Sequence, residues 1–299
     1  MKEKVLITGG SGLVGSHFRD FAYDFSILAP SQEELNIIDD TSVKNYLEKH
    51  NPDWIINFAA FTDVNAAETQ RGDENGLCWQ INVNGVSTLL KNYKSNNFIQ
   101  ISTDMVFEGT ETNPGPYDEE SKIPESYENL TWYGWTKNRA EVETQKFGGT
   151  ILRIIYPVRS SFEGKLDYIR GPLFKIASGK MHPLFSDQQI SISYINEITD
   201  ALRTIIQEAH HGVFHVSSDT TTPFDLISKV LDEIGKDPSQ LKQSSVKEFL
   251  KTNGPSYRYP VYGGLKSSYT EQQLDIHFST WQTVVEKLVA QGLKLPEVS

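Results

Sequence analysis

The sequence predicts an α/β protein built on a doubly wound parallel sheet, with a smaller C-terminal part that binds substrate. Three observations carry that prediction. Short runs rich in β-branched and aromatic residues alternate with helix-length segments through the first half of the chain. One of these runs, Trp54-Ile55-Ile56-Asn57-Phe58, is almost wholly apolar, as a strand covered on both faces requires. The first run, Val5-Leu6-Ile7-Thr8, passes directly into Gly9-Gly10-Ser11-Gly12-Leu13-Val14-Gly15, and a helical pattern then continues to about Tyr23.

Strand, glycine turn and helix is the context a dinucleotide fingerprint needs. Gly9, Gly12 and Gly15 let the backbone turn tightly and approach a pyrophosphate. The free N–H groups of Ser11, Leu13 and Val14 at the helix start are suited to its charge. Phe25–Leu28 reads as the second strand. An NAD-specific site carries an acidic residue at the end of that strand, on the ribose hydroxyls. Here the strand ends in Ala29-Pro30-Ser31, and Glu33-Glu34 come late. That tilts the cofactor towards NADP, with NAD the alternative and Ser31 placed to meet a 2′-phosphate.

A helix is expected from about Thr41, taken as its cap, to Asn51-Pro52. The strand 54–58 then runs into Ala59-Ala60-Phe61-Thr62, so Phe58, Ala59, Ala60 and Thr62 are placed beneath a cofactor. One long helix is expected over 75–93. Phe98–Ser102 is the next strand, ending in Thr103-Asp104, where ligands of an open α/β sheet bind. Thr103 could donate a hydrogen bond to a substrate carbonyl, although on its own a threonine there more commonly bonds its own turn. Residues 109–124 form a turn-rich loop, and 150–155 a further strand. Beyond it the alternation becomes irregular, with helices near 168–178, 195–209, 224–234 and 281–291 and a strand at 212–216. The expected division is a dinucleotide-binding domain over 1–155, with 190–216 returning to it, and a mainly substrate-binding part over 156–299.

Tyr133-Gly134-Trp135-Thr136-Lys137 carries the chemistry. On a helix, positions i and i+4 share one face. A free phenol titrates near pH ~10, and a neighbouring ammonium pulls it down towards the range of a useful general acid. Spacing alone is weak support, since the chain's tyrosines and lysines make about one such pair by chance. A second pair, Tyr262 and Lys266, does occur, but Gly263-Gly264 between its members argues against a helix.

Net charge is −11 with no basic cluster, which argues against a nucleic-acid surface. Cys78 is the only cysteine, so an intrachain disulfide and a cysteine metal site are excluded; no metal site is expected. No run approaches the length of a membrane helix, and the apolar start is too short for a signal peptide, so a cytoplasmic protein is expected.

Taken together, Thr8–Gly15, Glu34-Leu35-Asn36-Ile37, Asn57–Thr62, Ser102-Thr103-Asp104, Val106-Phe107-Glu108-Gly109, Tyr133–Lys137, Leu152-Arg153 and Asp187-Gln188 resemble a known group. They are similar to the extended short-chain dehydrogenase/reductases and, among these, to the dTDP-4-dehydrorhamnose reductase family. The resemblance covers most of the chain. It implies a Rossmann sheet and reduction of a 4-keto sugar nucleotide by NADPH. It implies Thr103, Tyr133 and Lys137 as the catalytic trio, with Tyr133 and Lys137 also on the nicotinamide ribose. Asn36 and Ile37 would join the cofactor site. Asp104, Met105, Val106, Phe107, Tyr156 and Arg258 would line the sugar site, and a homodimer is one arrangement consistent with the family. The chain departs from the pattern at Met105 (usually tyrosine), at Tyr156-Pro157 (a tryptophan) and at Tyr262-Gly263 (asparagine-serine). Dehydratases of the superfamily carry a glutamate where Met105 stands. The remaining readings are an epimerase, and a non-catalytic subunit like that of methionine adenosyltransferase.

Overall fold

The structure, a computed structural model, describes residues 2–254 and 258–297. Among them six strands form one sheet: β1 (Lys4–Thr8), β2 (Ser26–Leu28), β3 (Trp54–Asn57), β4 (Phe98–Thr103), β5 (Thr150–Ile154) and β6 (Val213–Val216). Their order is β2-β1-β3-β4-β5-β6. β1 pairs in parallel with β2 and β3, and β3 with β4, which puts Asn57 beside both Thr8 and Gln100. The chain winds outward from β1 to β2 and then crosses back to β3. The strand order therefore reverses at β1/β3, where open α/β sheets hold their ligands.

Burial explains the strands. Val5, Leu6, Ile7, Ile55 and Ile56 have no exposed surface, so both faces of the sheet centre are covered. On one face, Leu6 and Ile55 pack with Val43 and Leu47 of the helix Asp40–His50 and with Val86 and Leu89 of the helix Gly85–Asn92. Two local expectations change. The cap of the helix Asp40–His50 is Asp39, two residues before the expected Thr41, and its side chain accepts from the amides of Thr41 and Ser42. The single helix expected over 75–93 is three pieces, Leu77–Trp79, a π-helical turn Gln80–Asn84, and Gly85–Asn92. The buried Asn82 lies in that turn. Its amide nitrogen donates to Thr136 Oγ1 (2.9 Å) and Phe61 O (3.2 Å), and its oxygen accepts from Phe61 N (2.7 Å).

The described chain divides into two compact units that are interleaved in sequence. Met1–Phe107, Glu120–Arg153 and Ile198–Phe214 form the first; Glu108–Glu119, Ile154–Glu197 and His215–Ser299 form the second. Within the second unit, Pro157–Val158 pairs with Ser193–Tyr194, and Leu184–Phe185 pairs with Gln243–Ser244. It also holds the helices Arg170–Ala177, Pro223–Glu233 and Trp281–Ala290, close to their expected places. Val246–Asn253 and Ser268–Leu274 are helices that the apolar pattern did not reveal. No helix of the described residues is long and apolar enough to cross a membrane.

Candidate active site

The glycine turn is fixed by close approach. Gly9 has φ +65°, and a Cβ there would lie 2.7 Å from the Ala59 amide nitrogen. A Cβ on Gly15 would lie 2.5 Å from Gly9 O. Gly12 donates to Gly9 O (3.0 Å) and begins the helix Leu13–Phe21 without a side-chain cap. The turn thus presses against β3's exit at Ala59 and leaves the first amides of the helix to be met by an anion. A cradle that any Cβ would fill fits a pyrophosphate. Ser11, Ser31 and Thr62 are exposed, whereas Leu13, Val14, Asn36, Phe58, Ala59 and Ala60 are half-buried. Ile37 differs: it is buried in the sheet core, and a Cβ on Gly85 would lie 2.8 Å from its Cδ1. At the end of β2, Ser31 N donates to Glu34 Oε2 (2.8 Å) and Glu34 N donates to Ser31 Oγ (3.3 Å). This reciprocal box occupies the carboxylate of Glu34, one of the two that follow the strand.

Thr103, Tyr133 and Lys137 all fall in the first unit. Thr103 closes β4; its hydroxyl accepts from Met105 N (3.2 Å) and donates to Asp104 Oδ1 (3.0 Å). That is the local turn bond a threonine makes by default, and it fixes the Oγ1 position. The turn Asp104–Val106 then packs on the first turn of the helix Trp132–Phe147. The fit is close enough that a Cβ on Gly134 would lie 2.1 Å from Met105 O. Gly134 is what lets the end of β4 and Tyr133 come together. Thr131 caps this helix through its bond from Gly134 N (2.9 Å), and Glu68 accepts from Trp132 N. Further along, Glu141 holds Arg153 of β5 through two bonds of 2.9 and 2.7 Å, both side chains being buried. Removing either partner would strand a buried charge, a cost of about 3–5 kcal/mol.

Lys137 is 3% exposed and its Nζ donates to Ile101 O at 2.6 Å. Burial pulls its ammonium down to about 8, against the opposing pull of Glu141 and the Cys78 thiol. Asp104 is pushed up to about 7 by burial, partly offset by the bond from Thr103. The Tyr133 phenol is pushed up, first by burial and then by the nearby Asp104 and Cys78. This reverses the expectation that Lys137 would pull it down. The spacing puts the two groups on one face of the helix, but it carries no information on burial, which raises the phenol and lowers the ammonium.

The sugar-site candidates divide. Asp104 and Met105 flank Thr103, Asp104 nearly buried and Met105 half-buried. Val106 and Phe107 are core residues, and Phe107 lies under the Arg153 guanidinium (4.8 Å). Tyr156 and Arg258 belong to the second unit. Tyr156 has φ +39° and stacks on Tyr168 at 3.9 Å; Arg258 lies over the Tyr259 ring (5.9 Å). Among the described residues no group of three metal-ligating side chains comes together. Sequence reasoning missed Asn57, Gln100 and Asn82. The first two were visible as the polar interruptions of apolar strands.

A reversing parallel sheet whose first strand turns on interlocked glycines, with tyrosine and lysine one turn apart beside the end of β4, is the arrangement of the extended short-chain dehydrogenase/reductases. Comparison with known proteins narrows this. The model of the RmlD substrate binding domain family matches residues 2–293, and the chain belongs to that family. Its relatives include the spore coat polysaccharide biosynthesis protein SpsK of Bacillus subtilis, 26% identical over 85% of this chain and 87% of that protein. The dTDP-4-dehydrorhamnose reductase of Mycolicibacterium smegmatis is 26% identical over 97% of this chain and 86% of its own length. Among solved structures, the dTDP-4-dehydrorhamnose reductase of Bacillus anthracis in complex with NADP superposes with a TM-score of 0.81. It covers 97% of this chain and 100% of its own, at 20% identity.

Proposed function

We propose that the protein is an NADPH-dependent reductase of a 4-keto sugar nucleotide. The observation that carries this reading is the close packing of Met105 O on Gly134, which brings Thr103 and Tyr133 to one end of the sheet. The glycine turn, with Ala59 against it, would hold the pyrophosphate, and Lys137 and Tyr133 the nicotinamide ribose. A bound dihydronicotinamide supplies the hydride. Thr103 turns its hydroxyl proton from Asp104 to the substrate carbonyl, which increases the polarisation of that bond towards oxygen. As negative charge gathers on that oxygen, Tyr133 donates its proton; the raised phenol keeps the proton in place until then. Lys137, beside it on the helix, then bears on the phenolate left behind.

Met105 carries no titratable proton where a dehydratase of this superfamily has its glutamate, so elimination lacks a base. No specific observation favours the epimerase or the non-catalytic reading. The cofactor preference rests on the end of β2, where Glu34 is engaged by Ser31, no arginine follows in residues 29–40, and Arg19 Nη1 donates to the carbonyl of Gly10 (3.3 Å), which packs against Ala29. A preference for NADPH of about 1–2 kcal/mol is expected, the range of one hydrogen bond to a charged group. The test is to offer the purified protein dTDP- and UDP-linked 4-keto sugars with NADPH or NADH and follow absorbance. Oxidation of NADPH tied to the 4-keto group supports the reading. Turnover with none of them, or a clear preference for NADH, counts against it.

A further inference from the structure

A buried polar chain crosses the middle of the sheet in the first unit, where apolar side chains would be expected. It starts beside the glycine turn, at the exit of β3. Ala59 N donates to Thr8 Oγ1 (3.2 Å), and Thr8 Oγ1 donates to Asn57 Oδ1 (2.5 Å). Asn57 Nδ2 donates to Gln100 Oε1 (2.8 Å), and Gln100 Nε2 donates to Ile101 O (2.8 Å). Ile101 O is the same atom that accepts from Lys137 Nζ at 2.6 Å. Thr8, Asn57 and Gln100 are 3%, 1% and 0% exposed. Every donor in the chain points towards Ile101 O, so each bond polarises the next in one direction.

We propose that Gln100 is a positioning residue for Lys137, coupling it through Asn57 and Thr8 to the turn that takes the cofactor's pyrophosphate. This rests on the reductase reading given above. Past Asn57, β3 leaves the ladder, so Ile101 O lies just beyond the paired register of β3 and β4. Gln100 Nε2 fills one side of that carbonyl and confines the ammonium to the other. Lys137 therefore has one bond fixed and its remaining N–H groups free for the cofactor ribose and the Tyr133 side. Without Gln100, the ammonium has the whole carbonyl and no fixed direction. The charges that bear on Lys137 are Glu141, one turn along its own helix, and the Cys78 thiol. Asp104 bears on Tyr133. None of these is altered by changing Gln100.

The test is Gln100→Leu, with Thr8→Val as a second variant at the far end of the chain in case the first does not fold. Expected for Gln100→Leu is a roughly ten- to hundredfold fall in kcat, the scale of a small misplacement of a reacting group. KM for NADPH should stay within about threefold of wild type, since the pyrophosphate contacts remain. The Lys137 titration should move to higher pH, because an undivided carbonyl favours the ammonium. It is read from the 13Cε resonance in lysine-labelled protein, assigned with Lys137→Arg. Thr8→Val should move both readouts the same way by less. Wild-type kcat and an unmoved Lys137 resonance, with only a lowered Tm, would make Gln100 a packing residue and overturn the proposal. The resonance also separates the two claims. A wild type that reduces no keto sugar sinks the reductase reading, while the Lys137 titration still decides the role of Gln100.

Discussion

The chain contains the same four-residue spacing of tyrosine and lysine twice, once in each unit, and the two regions fold it into opposite things. Tyr133 and Lys137 lie on the helix Trp132–Phe147, one turn apart, with Lys137 buried and Tyr133 half-buried. Tyr262 and Lys266 lie in extended chain, with Gly264 at φ +101° between them. Tyr262 N donates to Gly109 O (3.0 Å) and its carbonyl accepts from Gly115 N (2.8 Å), so its backbone is committed to neighbouring segments. Its hydroxyl accepts from Lys247 (2.9 Å), a residue fifteen positions earlier. Spacing becomes chemistry only where the backbone makes it a face, and burial then sets which protonation state that face favours.

The sharpest way to break this comparison is Tyr133→Phe. Loss of a positioned general acid lowers kcat by roughly 10²–10⁴. Cofactor binding should change little, because the glycine turn is untouched. Dissociation constants for NADPH and steady-state rates on a turned-over keto sugar would check it. Near wild-type turnover in this variant would remove Tyr133 from the acid's role.

Asp104→Asn tests the electrostatic half of the contrast. In the fold Asp104 sits at about 7, above its usual value of 3.8. Because the folded state holds the proton more tightly, its contribution to stability is complete below about pH 4. It is lost as pH rises through 7. Asparagine does not titrate but still accepts from Thr103. The variant should therefore gain on wild type by about 3–4 kcal/mol between pH 4 and pH 8. Urea unfolding at both pH values measures this; an equal difference at the two would mean that Asp104 is not held protonated by burial.

The features legible in the sequence were those fixed by neighbours in the chain. The glycines at 9, 12 and 15 announced a turn, and the run 54–58 announced a covered strand. Where distant residues decide, the sequence was mute. Asn82 bonds Phe61 and Thr136 from inside a π-helical turn, yet the segment around it reads as one continuous helix. Gln100 stood out only as a flaw in an apolar strand; its partners lie on β3 and on Ile101. The Tyr133 phenol is raised where spacing alone predicts a lowering, for the same reason. A spacing rule counts the lysine but cannot count the solvent that burial removes.

The smallest effect is expected from Tyr262→Phe, and it is the control that the comparison needs. The hydroxyl's bond comes from Lys247, whose ammonium it raises from its ordinary value, and whose side chain is well exposed to water. Such a bond is screened and contributes little to stability. Lys247 also lies over the Tyr262 ring at 5.2 Å, and phenylalanine keeps that face. The backbone bonds to Gly109 and Gly115 do not involve the ring at all. The variant should therefore keep kcat within about twofold of wild type, with at most a slight fall in Tm. Steady-state rates measured beside Tyr133→Phe read both arms at once. If Tyr262→Phe lost as much turnover as Tyr133→Phe, helical geometry would not be what distinguishes the two pairs. If it alone lost turnover, the acid would have to be sought in the second unit.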